Sequence, residues 1–195
     1  MRERLARLIS NILNPFVVSF IIIVLLAFQD TSSTTEALKW ALISLAISVI
    51  PVFIIVTFLV HSKKLDGFFA NPRQQRNIVY LLASVLGAID CGLMWYLNAP
   101  DLLAVAFTAG LAAIVVFTGI NYFWKISLHA AFLAASVTVV TIVYGVIVIW
   151  TLVLLPLVAW ARIELKQHSL AQVVTGGLLA AAMVSGVFWV YGVIG

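Results

Sequence analysis

Charge is scarce in this chain. Of 195 residues, 9% are Asp, Glu, Lys or Arg and 64% are hydrophobic, and from His129 to Trp160 there is no charged residue at all. A mean hydropathy of +1.18 is far above the range of soluble globular domains and excludes that class. Cysteine is nearly absent as well. The single Cys91 rules out an internal disulfide, and no metal-ligand spacing surrounds it, which argues against a zinc site. Strict polar/apolar alternation is missing too, which sets aside a β-barrel. The fold class that remains is all-α, a polytopic transmembrane helix bundle, because a helix closes its own backbone hydrogen bonds and about 20 apolar residues suffice for a crossing. No convincing small-residue cleavage pattern follows "MRERLARLISNILNPF", so the first span is expected to be retained.

Apolar runs separated by "QDTSSTTE", "HSKKLDGFFANPRQQRN" and "NAPD" predict spans at 12–28, 37–60, 77–97 and 101–120. The uncharged stretch 129–160 is too long for one crossing: it would run about 48 Å as a helix against a hydrocarbon core of about 30 Å. Two short spans, 129–145 and 146–162, with a tight turn near Tyr144-Gly145, fit better, and a last span covers 169–192. Seven spans in one membrane domain, 1–195, leave no room for a soluble domain. Charge agrees with this count. It collects Arg2, Arg4, Arg7, Lys63, Lys64, Arg73, Arg76, Lys125, Arg162 and Lys166 on one face, leaving Lys39 as the only one of the eleven Lys and Arg opposite. Such a bias marks that face as cytoplasmic. The expected location is therefore the plasma (inner) membrane, with the N-terminus inside. The arginines of "MRERLAR" have no evident partner in the sequence. Gly177, Ala181 and Ser185 form a small-residue stripe that suits helix contact.

Two of the three histidines, His129 and His168, fall on the cation-rich face. Lys125 precedes His129 by four residues and Gln172 follows His168 by four, each one helical turn away. With the "KKLDGFFANPRQQR" loop, three connectors offer two imidazoles and a set of Lys and Arg, groups suited to a phosphate at headgroup level. His61, without a motif, is assigned a structural role. Lys63 and Lys64 suit interfacial anchoring on anionic lipid.

These residues carry a resemblance. Arg162, then "IELKQ", His168, "SLA" and Gln172, followed by "VVTG", is similar to the third motif of the type 2 phosphatidic acid phosphatase (PAP2) superfamily of membrane lipid phosphatases, which reads Ser-Arg, five residues, His, three residues, Asp. Ile126-Ser127-Leu128-His129 resembles the second motif, Pro-Ser-Gly-His, and the stretch from Asp66 through "GFFANP" to Arg73 and Gln74 echoes the first, Lys, six residues, Arg-Pro. The order matches, and the likeness covers about residues 62–177. The resemblance implies a PAP2-like core without a metal, in which His168 attacks phosphorus, His129 protonates the leaving oxygen and Arg162 holds the phosphate. By the same carry-over Arg73 and the hydroxyl of Ser127 bind phosphate, as do Arg76 and Lys64, and Gln172 orients His168. Among the departures from the pattern, Gln172 stands for an acid and Asp66 for a lysine. Lys125 is expected to supply the missing cation.

The function expected is therefore hydrolysis of a lipid phosphate or (iso)prenyl diphosphate through a phosphohistidine, with that substrate and membrane lipids as partners, no nucleic acid and no cofactor. Two alternatives stay open: a non-catalytic lipid-phosphate-binding membrane protein, and a small transporter using Asp90, the one acid that falls within a span.

Overall fold

A computed structural model describes residues 1–68 and 72–194, with the Arg73 side chain outside the description. Among these residues the regular elements are all helical: α1 (Arg2–Ile12), α2 (Pro15–Gln29), α3 (Thr34–Ile47), α4 (Val49–His61), α5 (Arg73–Tyr96), α6 (Asp101–Asn121), α7 (Leu128–Tyr144), a 3₁₀ segment (Gly145–Val153), α8 (Leu154–Glu164) and α9 (Leu170–Val190). Six helical runs among the described residues are long and apolar enough to cross a membrane: Arg2–Gln29, Thr34–His61, Gln74–Tyr96, Asp101–Asn121, Leu128–Glu164 and Leu170–Val190. The chain is thus an all-α integral membrane protein. Among these runs, Leu128–Glu164 is a continuous helical run of 37 residues, where two short spans, 129–145 and 146–162, are expected.

The chain forms two compact units, residues 1–22 with 125–195, and residues 23–124. In the first unit, the path of Leu128–Glu164 decides everything else. A straight run of that length would separate its ends by about 55 Å. Instead Lys125, just before α7, donates from Nζ to the carbonyl of Gln167, just after α8, at 2.6 Å. The chain therefore doubles back on itself. The reversal sits at Gly145, whose φ of 70° and ψ of −157° fall where essentially only glycine is comfortable. Once folded back, α7 and α8 share a core: Val137 and Leu133 pack with Val158 and with Val18 of α2, edged by Leu13, Ile22, Leu154 and Leu155.

Against α7 lies α9, which buries Val173, Gly176, Ala180, Val184 and Phe188. This stripe is one residue out of step with the expected Gly177, Ala181 and Ser185, which are half-buried at its flank. The register is set by Gly176, where an added Cβ would stand 3.2 Å from the Ser127 carbonyl oxygen and 3.3 Å from Ile126 Cγ1. A side chain there would need the connector to give by a few tenths of an ångström.

The second unit is held by polar contacts between apolar helices, the usual way to lock helices whose surroundings offer no hydrophobic gain. From α5 to α6, Asn121 accepts from Arg76 Nε at 3.0 Å and donates to Asn77 at 2.6 Å. Further along, Ser84 meets Thr118 at 2.8 Å, and Thr108 takes the Trp95 indole N–H at 3.0 Å. Asp30 caps the start of α6 by accepting from the Leu102 N–H at 2.7 Å. The break between α3 and α4 at Ser48 follows from Pro51, which has no N–H to give the Ile47 carbonyl. Asp90 is 5% exposed on α5.

Replacing Gly145 by Val tests the reversal. An added Cβ meets no atom within 4 Å there, so the whole cost is backbone strain, about 1–3 kcal/mol. Reversible unfolding in mixed micelles should show that loss for Gly145→Val and almost none for Gly110→Ala, a helical glycine with equally open surroundings.

Candidate functional site

The doubled-back path brings the start of α7, the end of α8 and the start of α9 to one end of the first unit. Ser127 caps α7, its Oγ accepting from the Ala130 N–H at 3.5 Å, and sets His129 in the first turn, 2% exposed. Arg162 lies in the last turn of α8 at 4% exposure. The chain then curls over the helix end through Lys166, held at a left-handed φ of 54°, so that the N–H groups of Gln167 and His168 both donate to the Arg162 carbonyl, at 3.1 and 3.3 Å. This wrapping is what carries His168 back toward Arg162. Both lie within electrostatic reach of His129.

His168 is oriented by the start of α9. Ser169 and Gln172 form a reciprocal cap: the Gln172 N–H donates to Ser169 Oγ at 3.3 Å and the Ser169 N–H donates to Gln172 Oε1 at 3.1 Å. The same Oε1 meets His168 Nδ1 at 3.2 Å. Because the Ser169 main-chain N–H can only donate, the atom it faces is the amide oxygen. An oxygen that is only an acceptor requires His168 Nδ1 to carry the proton. The neutral ring therefore keeps its lone pair on Nε2.

Lys125 is not in α7 with His129, as its four-residue spacing implied. Ser127 begins the helix two residues later, so Lys125 sits in the extended connector and reaches Gln167 instead. Ser127 also ties this connector to α9, its N–H facing the Gln172 carbonyl at 3.4 Å. Six predicted residues, Lys125, Ser127, His129, Arg162, His168 and Gln172, thus belong to one polar cluster. Arg76 and Lys64 belong to the second unit, where Arg76 donates to Asn121 and Lys64 is exposed. The Arg73 side chain falls outside the described residues.

One site residue had no sequence signal. Ser10 of α1 is 3% exposed and its hydroxyl accepts from Arg162 Nη1 at 2.8 Å, across 152 residues of chain. Its main chain also hydrogen-bonds the His129 ring. A single serine in "LARLISNIL" announces neither contact. Two of the three N-terminal arginines have partners: Arg2 pairs with Glu164 at 3.5 Å and Arg7 with Glu3 at 2.5 Å. Arg162 Nε and Gln167 Oε1 are buried with no hydrogen-bond partner among the described residues. No group of three or more His, Cys, Asp or Glu that could hold a metal occurs among the described residues.

Compared with protein-family models, with curated proteins and with solved structures, the chain has no match.

The Ser10 contact can be measured through stability. Ser10→Ala should cost about 1–3 kcal/mol, since a hydrogen bond to a buried cation is lost. In Arg162→Met the same Ser10→Ala change should cost much less, and equal costs in the two backgrounds would show that the pair does not interact.

Proposed function

We propose that the chain is a membrane lipid phosphatase of the PAP2 type, acting on a lipid phosphate or prenyl diphosphate at the cytoplasmic surface of the plasma (inner) membrane. The observation that carries this reading is the His168–Gln172–Ser169 linkage, which sets the proton of a neutral His168 ring on Nδ1 and its lone pair on Nε2. That is the state a nitrogen nucleophile needs. Phosphoryl transfer otherwise asks a protein for positioning and for charge around the equatorial oxygens. The buried Arg162, with Nε still to be satisfied, is suited to that task, and Lys125 and the Ser127 hydroxyl add further donors.

In the proposed reaction His168 Nε2 attacks phosphorus and the bond from phosphorus to the lipid oxygen breaks. The leaving oxygen takes a proton from His129. Water then attacks the phosphohistidine, the P–N bond breaks and phosphate departs, while the proton that water loses returns to His129. Gln172 fixes the tautomer of His168 but brings no negative charge to the imidazolium, so the reaction runs with orientation and without that electrostatic help.

One observation favours a second reading. Arg162 Nη1 is occupied by Ser10 and Lys125 Nζ by the Gln167 carbonyl, an arrangement also suited to a non-catalytic binder of lipid phosphate. Purified protein offered phosphatidic acid and a prenyl diphosphate separates the two. Phosphate release that disappears in His168→Ala supports the phosphatase, whereas binding without release in the unaltered protein supports the binder. Within the phosphatase, Gln172→Leu should slow release on the order of 10²- to 10⁴-fold, the range for losing an oriented base. Lys125→Met should slow it as well, and an unchanged rate would remove Lys125 from the site.

A further inference from the structure

Helix α1 has three distinct sides. Ala6 and Ser10, one turn apart, are buried at 0% and 3% exposure. Leu5, Leu8 and Ile12, spaced three and four residues apart, form a second stripe that is 51%, 55% and 54% exposed. Arg4, Arg7 and Asn11 form the third side, polar and exposed. The apolar stripe thus lies between the protein-facing side and the charged side. That is the layout of a helix lying in a membrane surface, with protein on one flank, acyl chains beneath and headgroups and water on the other flank.

The direction of α1 agrees. Arg2 pairs with Glu164 and Ser10 with Arg162, both in the last turn of α8. Eight residues of α1, about 12 Å, therefore map onto two residues of α8, about 3 Å of its axis. Both ends of α1 are therefore tied to the last turn of α8. Since α8 belongs to a membrane-crossing run, a helix tied at both ends to its last turn stays at the level where that run ends. The break at Leu13-Asn14, where Asn14 Oδ1 accepts from the Val17 N–H at 3.0 Å to start α2, provides the corner at which the chain leaves the surface and enters the apolar α2.

Charge on the outer side names the occupant. Glu3 is paired with Arg7 and Glu164 with Arg2, which leaves Arg4 without an ion pair among the described residues, one turn before Leu8. We propose that α1 is a surface-seated strap that binds anionic lipid: Leu5, Leu8 and Ile12 insert among acyl chains, Arg4 and Arg7 bind headgroup phosphates, and this seating holds Ser10 against Arg162 and His129. The inference concerns a surface, and it stands whatever chemistry occurs at His168.

Spin labels at Leu8→Cys and Asn11→Cys, each in a Cys91→Ser background, test it in the full-length protein. The reconstituting vesicles are phosphatidylcholine with graded amounts of phosphatidylglycerol. The Leu8 label should be open to dissolved oxygen and closed to a water-soluble nickel chelate, with the reverse at Asn11, and the contrast should grow with the anionic fraction. Replacing Arg4 by Gln should raise the anionic fraction needed for half of that growth about fivefold, and Arg4→Gln/Arg7→Gln should raise it further. Equal water access at Leu8 and Asn11 overturns the surface seating. Seating that is indifferent to phosphatidylglycerol, or to loss of both arginines, overturns the anionic-lipid partner. Arg4, Arg7, Leu8 and Asn11 are exposed, the buried Cys91 is changed alike in every labelled protein, and phosphate release plays no part in the readout.

Discussion

Arg162 is a cation buried in a chain that has little else to offer it. Desolvating a guanidinium is costly unless it is hydrogen-bonded, and α7, α8 and α9 are built almost wholly of side chains that cannot help. The partner comes from outside them, from Ser10 on a helix that precedes the whole bundle. Fixing Arg162 in this way fixes more than one side chain. The carbonyl of the same residue receives the Gln167 and His168 N–H groups, so the path of the connector, the placement of His168 and the docking of α1 all refer to one residue.

The hairpin of α7 and α8 is what makes such a residue possible. It needs one glycine-only conformation at Gly145 and close contact of α9 at Gly176, and both occur where the sequence has glycine. The reversal was legible from arithmetic alone, because 32 uncharged residues exceed one crossing and charge on both sides had to return to one face. The apolar runs were legible in the same way, from hydropathy and the polar stretches between them. The exact stripe of α9 was hidden, because Gly176 and Gly177 are equally small and only the position of the connector chooses between them.

The candidate site was legible to the extent that it is local. His168 and Gln172 are four residues apart on either side of a helix start, and the Ser169 to Gln172 spacing is itself a capping signature. The contact of Ser10 with Arg162 is not local. It depends on how α1 docks on α8 ahead of the break at Asn14 and Pro15, and no periodicity encodes that docking. The misplacement of Lys125 has a similar source. A four-residue spacing means a shared helix face only if the helix has already begun, and here it begins after Lys125.

The amide at position 172 then looks less like a defect than a division of labour. An acid beside an imidazole does two things: it selects the tautomer and it stabilises the ring once charged. Gln172 does the first without the second, and it does so because its oxygen is pinned by the Ser169 N–H, which prevents the amide from turning its NH₂ to the ring. A carboxylate would need no such pinning, having an acceptor on either side. The capping box is therefore part of the site and not only of the helix. Without the Ser169 N–H nothing would distinguish the two ends of the amide, and half of its orientations would set His168 with the proton on the wrong nitrogen. An amide can serve where an acid is usual, provided that the backbone decides which way it faces.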